Sequence, residues 1–243
     1  MPRRPEIRRQ RVDERVYAVS HPGGREGNED DFLVMERNHD CFLAVADGLG
    51  GHQAGEIASR CAIQALAASF SQMEGSISEE SLRSFFLHAH QEIRNHAKGA
   101  RAGMGTTLVT VCITGHEAIV AHTGDSRAYL IRDRILYRSR DHSVVQGLVD
   151  EGVLSEEEAL HHPLKNMLTA ALGIDFRVEV DFLTLANGDI ILLSSDGFHD
   201  FVTENILMHT LRNRPFSQCG ETLLQEALQN TTDNVTFVIY QVH

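Results

Sequence analysis

Apolar positions along the chain fall into two patterns. Short runs, alternating or continuously apolar, predict strands at 15–20, 32–36, 41–47, 108–113, 117–123, 128–132, 135–138, 177–183, 189–194 and 235–242. Longer stretches spaced by three and four predict helices at 56–70, 79–97, 203–212 and 216–229. In the second helix Leu82, Phe85, Phe86, Ala89 and Ile93 share one face. Residues 21–28 hold three Gly and one Pro and read as a loop. The strands follow one another too closely for βαβ units, so they read as hairpins in packed, mainly antiparallel sheets with helices outside. From 142 to 172 the pattern turns helical and polar. Val144, Val145, Leu148 and Val149 lie on one face, and Ser155-Glu156-Glu157-Glu158 looks like a helix start. This stretch is expected to be an insert on the edge of the sheets.

Composition narrows the class. With 243 residues, 42% apolar and 23% charged, one domain with a substantial core is expected. A net charge of -12 argues against nucleic-acid binding or a membrane surface as partner. The charge is uneven, because Met1 to Arg15 holds six Arg against three acids. We expect a flexible, solvated arm over 1–14, with an interaction tail as the alternative, and a folded domain over 15–243. No apolar run is long enough to span a bilayer, and the N-terminus lacks the apolar core of a secretory signal. Cys41, Cys61, Cys112 and Cys219 show no CxxC spacing; buried thiols in a reducing cytoplasm are the expectation.

The candidate chemistry centres on residues 41–56. An apolar strand ends on Asp47, a turn containing Gly48, Gly50 and Gly51 follows, and a helix begins near Glu56. Asp beside Gly, Ser or Asn recurs at Gly124-Asp125-Ser126-Arg127, Ser195-Asp196-Gly197 and Asp233-Asn234. A single Asp of this kind usually caps its own turn. Several brought together would repel one another unless cations neutralised them. Oxygen ligands of this type suit Mg²⁺ or Mn²⁺, and two such ions about 3.5–4 Å apart can hold a hydroxide for in-line attack on phosphorus. Arg25, close to Glu29 and Asp30, offers a planar fork for phosphate oxygens. His88, His90 and His96 read as solvated helix residues. A dinucleotide fingerprint at Gly48-x-Gly50-Gly51 is a rival reading, but its third Gly would be Gln53 and the flanking strands are hairpins.

Taken in order, Arg25-x-x-Asn28-Glu29-Asp30, Asp47-Gly48-x-Gly50-Gly51-x-x-x-Gly55-Glu56, Gly103-Met104-Gly105-Thr106-Thr107, Gly124-Asp125-Ser126-Arg127, Asp141-His142-Ser143, His162-Pro163, Leu168-Thr169, Ser195-Asp196-Gly197 and Asp233-Asn234 resemble the metal-dependent serine/threonine phosphatases of type 2C in their bacterial form. The resemblance implies an α+β, four-layer αββα sandwich of two antiparallel sheets flanked by helices, with a small helical flap at about 142–172. It implies that Asp47 bridges two metal ions, that the Gly48 carbonyl binds one of them, and that Asp196 and Asp233 complete the other shell. Glu29 would act through metal-bound water with Asp30 beside it, and Arg25 would bind the substrate phosphate. Asp125, with Asp196 or Asp200, would match a third, looser ion. The implied activity is hydrolysis of phosphoserine and phosphothreonine in proteins, with Mn²⁺ or Mg²⁺, by a cytoplasmic monomer that opposes a serine/threonine kinase in signal transduction. The alternative is a catalytically silent pseudophosphatase serving as a regulatory binding module. His199 and His52 are candidate proton donors in the cleft, with a surface position the plainer expectation for His199. Phe198-His199 and Ala170 depart from the common family pattern without touching a ligand position.

Overall fold

The structure is a computed structural model that describes residues 8–10, 14–37, 40–51 and 53–243. In chain order the elements are β1 (Arg8–Gln10), β2 (Val16–His21), β3 (Asp30–Arg37), β4 (Asp40–Leu49), α1 (Gln53–Gln72), α2 (Glu79–His96), β5 (Gly105–Thr106), β6 (Leu108–Thr114), β7 (Glu117–Thr123), β8 (Arg127–Ile131), β9 (Ile135–Arg138), α3 (Val144–Asp150), α4 (Glu156–Leu160), β10 (Glu179–Thr184), β11 (Ile190–Ser194), α5 (Asp196–His199), α6 (Glu204–Asn213), α7 (Phe216–Leu228) and β12 (Val235–Gln241).

The strands form two sheets in which every neighbouring pair is antiparallel. One sheet runs β1-β2-β12-β11-β8-β9; the other runs β10-β7-β6-β4-β3, with β5 paired to β4. Period-two alternation sorts each strand between two cores. On β4, Cys41, Leu43 and Val45 join the core between the sheets. Phe42, Ala44 and Ala46 face the other way, against Ala58, Leu66, Phe86 and Ile93 of α1 and α2. On β12, Val238 and Tyr240 enter the inter-sheet core while Phe237 and Ile239 meet Leu207, Leu223 and Leu224 of α6 and α7. Three apolar cores therefore separate four layers, helices outside and sheets within. Central strands buried on both faces read as near-continuous apolar runs, and that is why β4 and β12 stand out in the sequence.

Sequence expectation and structure differ in a few places. The arm expected at 1–14 contains β1, which pairs antiparallel with β2 from Arg8↔Ser20 to Gln10↔Ala18; the Arg8 guanidinium also meets Asp31. The rest of that arm up to residue 13 lies outside the described residues. His90 is buried rather than solvated: its Nδ1 accepts the Gly173 N–H at 3.0 Å and its ring packs against Phe176. The 142–172 insert holds two short helices followed by loop, the second starting after Ser155 as expected. Three of the cysteines are buried, Cys61 is half-buried, and all four are free.

Candidate metal centre

β4 carries Asp47 between the sheets' ends, directly across the β3–β4 ladder from Asp30. The Asp47 backbone is held from both sides. Its N–H donates to Thr107 Oγ1 at 3.0 Å, and its carbonyl accepts from Thr106 Oγ1 and the Thr107 N–H, each at 2.8 Å. This explains the Thr-Thr pair after Gly105: the two threonines fix the strand that aims the carboxylate.

Next along β4, Gly48 donates its N–H to the Glu29 carbonyl at 3.1 Å. A Cβ at Gly48 would lie 2.2 Å from the Gly55 carbonyl oxygen. A Cβ at Gly55 would lie 1.8 Å from Glu29 Oε2 and 2.8 Å from the Gly48 carbonyl oxygen. The two glycines thus let the end of β4, the first turn of α1 and the Glu29 side chain meet at contact distance. The Gly48 carbonyl and the Glu29 carboxylate face the same small volume.

The loop before β3 is pinned by Asn234. Its side-chain NH₂ donates to the Pro22 carbonyl at 2.9 Å and the Gly27 carbonyl at 2.8 Å, and its Oδ1 accepts the Glu29 N–H at 2.8 Å. Neighbouring Asp233 receives Arg25 in a two-pronged contact, Nε to Oδ1 at 3.0 Å and a terminal nitrogen to Oδ2 at 2.8 Å. Arg25 and Asp233 are 208 residues apart and meet because β2 and β12 are ladder neighbours.

Asp196 opens α5 directly after β11, with Ser195 as the N-terminal cap residue. Ser195 Oγ donates to Asp30 Oδ2 at 2.9 Å. Asp125 sits in the turn between β7 and β8, where the charges of Asp196 and Asp141 both bear on it. Asp200, at the end of α5, is paired with Lys165 from the insert at 2.7 Å. The structure therefore gathers Arg25, Glu29, Asp30, Asp47, Gly48, Asp125, Asp196, Asp200 and Asp233 at one end of the sandwich.

The electrostatics follow from that crowding. Burial, then the charge of Asp30, then Asp196, Asp125 and Asp233 push the Asp47 carboxyl well above its ordinary range. Burial is also the main cause for Asp125, with Asp196 and Asp141 adding to it. Asp30 rises to about 7 through burial, in spite of hydrogen bonds from Thr236 and Ser195. Asp196 rises to about 6 through burial and then the charges of Asp233 and Asp200. Such shifts mark a place where positive charge would be taken up strongly. The donor set is all oxygen, from carboxylates and one backbone carbonyl. It fits Mg²⁺ or Mn²⁺ better than softer ions.

Beside the carboxylates a cavity of about 390 Å³ opens between the insert and α5–α6. Asp125, Asp196 and Asp200 form its inner end, Val145 and Leu160 part of its wall. His199 also lines it, with Nδ1 3.1 Å from Ser194 Oγ. Burial and the cations Arg127, Arg138 and Lys165 hold this imidazole neutral, well below its ordinary pKa. His199 is thus a half-buried wall residue rather than a surface one. His52 lies outside the described residues. Sequence reasoning missed Ser195 as the partner of Asp30, Lys165 as the partner of Asp200, and the two-pronged Arg127–Asp141 pair at 2.7 and 2.8 Å. The Gly-Asp-Ser-Arg and Asp-His-Ser motifs were the available signal for the last.

Comparison with known proteins agrees with this geometry. A family model described as protein phosphatase 2C matches residues 19–232. The chain is 32% identical over 229 residues to the serine/threonine phosphatase stp of Listeria monocytogenes, covering 89% of this chain and 91% of the relative. The crystal structure of the Mycobacterium tuberculosis serine/threonine phosphatase PstP/Ppp superposes with a TM-score of 0.86 at 33% identity, covering 94% of this chain and 98% of that one. A structure of the PstP catalytic domain in complex with two manganese ions superposes with a TM-score of 0.82 at 33% identity, covering 93% and 97% of the two chains.

Proposed function

Since the chain belongs to the protein phosphatase 2C family and is a metal-dependent serine/threonine phosphatase, we infer that its cleft residues divide the work of phosphate-ester hydrolysis between them. Asp47, the Gly48 carbonyl, Asp196 and Asp233 would hold two divalent ions, Mn²⁺ or Mg²⁺. Asp125 and Asp200 would serve a third. When bound, such ions supply positive charge that acidifies water and balances charge on the phosphoryl oxygens. Glu29 is set against Gly55 and the Gly48 carbonyl, where its carboxylate can orient a water and take its proton. Asp30 stands behind Asp47, fixed by Ser195, with burial pushing its carboxyl up to about 7 in the absence of metal. Arg25 carries the planar fork that suits phosphate oxygens, at the mouth of the group.

The single observation that carries this reading is the crowd of half-buried carboxylates around Asp47, each pushed up by desolvation and by the others. A binding module would gain nothing from holding so much unneutralised acid together, so the enzyme reading is favoured over the silent one. Phosphoserine and phosphothreonine proteins are the substrates we assign. A serine/threonine kinase of the same substrates is the natural counterpart in signalling, with the enzyme working as a cytoplasmic monomer. Among the described residues no helix is long and apolar enough to cross a membrane.

The test is hydrolysis of a phosphothreonine peptide after chelation, with Mn²⁺, Mg²⁺ or Ca²⁺ added back singly. Turnover should return with Mn²⁺ or Mg²⁺, and Asp47→Asn should lose both bound metal and turnover. Wild-type turnover that survives full chelation would sink the assignment.

A further inference from the structure

Away from the oxygen-rich cleft, a second group of donors lies beneath the β7–β8 turn. His122 on β7 and His142 just before α3 are buried, at 1% and 3% exposure, and their rings stack with centroids 4.9 Å apart. Glu179, the first residue of β10, reaches both: its Oε1 is 3.4 Å from His142 Nε2 and its Oε2 is 4.0 Å from His122 Nε2. One donor atom from each of the three residues lies within 4.8 Å of the others.

The protonation states can be read from the partners. His122 Nε2 lies 2.9 Å from the Arg140 carbonyl, so it carries the ring proton and leaves Nδ1 as a bare lone pair. That Nδ1 is buried without a partner. His142 Nδ1 accepts the Gly124 N–H at 3.3 Å, so its proton is on Nε2, which is also buried without a hydrogen bond. Two imidazole nitrogens buried without a hydrogen bond are costly, and beside one carboxylate they are donors of the kind that bind a metal ion. An N–H donated to a backbone carbonyl, as in His122, is the arrangement that orients metal-bound imidazoles.

We propose that His122, His142 and Glu179 form a second metal site, selective for imidazole-binding ions such as Zn²⁺ or Cu²⁺ rather than for Mg²⁺. Donors around a tetrahedral ion with bonds of about 2.0–2.2 Å stand roughly 3.4 Å apart. The His142–Glu179 pair already has that separation; the 4.0 Å contact between Glu179 and His122 is to Nε2, so the His122 ring must shift to bring Nδ1 to the ion. Arg177 now rests on Glu179 and would have to yield one carboxylate oxygen.

The site is tied to the cleft. An ion on His142 Nε2 moves the ring proton to Nδ1, which then faces the Gly124 N–H donor-to-donor. The two must part, although His142 also donates its backbone N–H to the Gly124 carbonyl at 2.8 Å. Gly124 precedes Asp125, so filling this site disturbs the turn that aims Asp125 and slows the phosphatase. The binding half of the proposal stands whether or not the cleft is a phosphatase centre.

The test uses protein whose cleft is filled with Mg²⁺. One equivalent of Cu²⁺ is added and its electron paramagnetic resonance spectrum recorded for wild type, His142→Gln and Glu179→Gln. The expected wild-type spectrum shows coupling to two imidazole nitrogens. The all-oxygen cleft cannot produce it. His142→Gln should lose that signal, and Glu179→Gln, which is partly exposed and leaves the buried rings in place, should weaken binding by more than roughly tenfold. Equal nitrogen coupling and affinity in all three proteins would assign the ion to surface histidines and overturn the site. A spectrum without nitrogen coupling would assign it to carboxylates and overturn the site equally. One equivalent of Zn²⁺ should slow the Mg²⁺-loaded wild type and spare Glu179→Gln; equal loss in both overturns the link to Asp125.

Discussion

Arg25 and Asp233 hold each other through two hydrogen bonds, and each is also assigned a partner from outside the chain. A cation resting on Asp233 competes with a metal ion for the same oxygens. Arg25→Ala should therefore tighten Mn²⁺ binding to the chelated protein several-fold by calorimetry, while raising the Michaelis constant for a phosphopeptide. Weaker Mn²⁺ binding in that variant would show that Arg25 supports the metal shell instead of competing with it. Gly48 gives a second residue-level expectation. Its added methyl would meet backbone oxygen 2.2 Å away, which no rotamer can relieve. Gly48→Ala should lower stability by about 1–3 kcal/mol and reduce metal content, read by thermal melts and metal analysis. Asp47, Asp125, Asp196 and Asp233 stood out because each sits beside Gly, Ser or Asn next to a strand. Their supporting contacts were not. Ser195–Asp30 spans 165 residues and Lys165–Asp200 spans 35, and no local spacing announces either.

Among the elements, the insert containing α3 and α4 closes on itself, with Val144 N–H donating to the Met167 carbonyl and Thr169 N–H to the His142 carbonyl. It reaches the body through ion pairs of Arg138 with Glu156, Arg140 with Asp150 and Lys165 with Asp200. Lys165→Ala should raise amide hydrogen exchange across 144–160 while changing global stability by less than about 1 kcal/mol, because that ion pair is partly solvated. Unchanged exchange would show that the other bonds fix the insert without Lys165. Elements with a clear period were readable: α2 buries the five apolar residues expected of it, and β4, β7 and β12 fall close to their predicted limits. The four-residue α5 and the two-residue β5 were missed, since neither is long enough to show a period. His90 misled for a different reason: tertiary contact with Gly173 and Phe176 buries a residue whose helix position looked polar.

At the scale of the whole molecule, the buried acids couple metal to stability. Asp30 and Asp196 have folded-state pKa values of about 7 and about 6, above the ordinary carboxylate value. Between that ordinary range and neutrality the native chain keeps protons that the unfolded chain has lost. Native stability without metal must then fall as pH rises through this window. The chelated protein should melt at a lower temperature at pH 7.5 than at pH 5, with each kcal/mol worth about 2–4 °C for a chain of this size. Added Mn²⁺ should restore more at pH 7.5 than at pH 5; a metal-free melting point that climbs over the same interval would contradict the shifts. Layer architecture could be read from closely spaced strands and paired helices. Strand order could not, because β2 joins β12 across some two hundred residues and nothing local specifies the partner. That order has a consequence for biosynthesis. β12 lies between β2 and β11, yet it leaves the ribosome after every other strand. Until it emerges, one sheet is in two pieces, Asp233 is missing, and Asn234 cannot fasten the loop that bears Arg25. A nascent or prematurely terminated chain should therefore be silent toward phosphoproteins, with activity expected only once translation has passed β12.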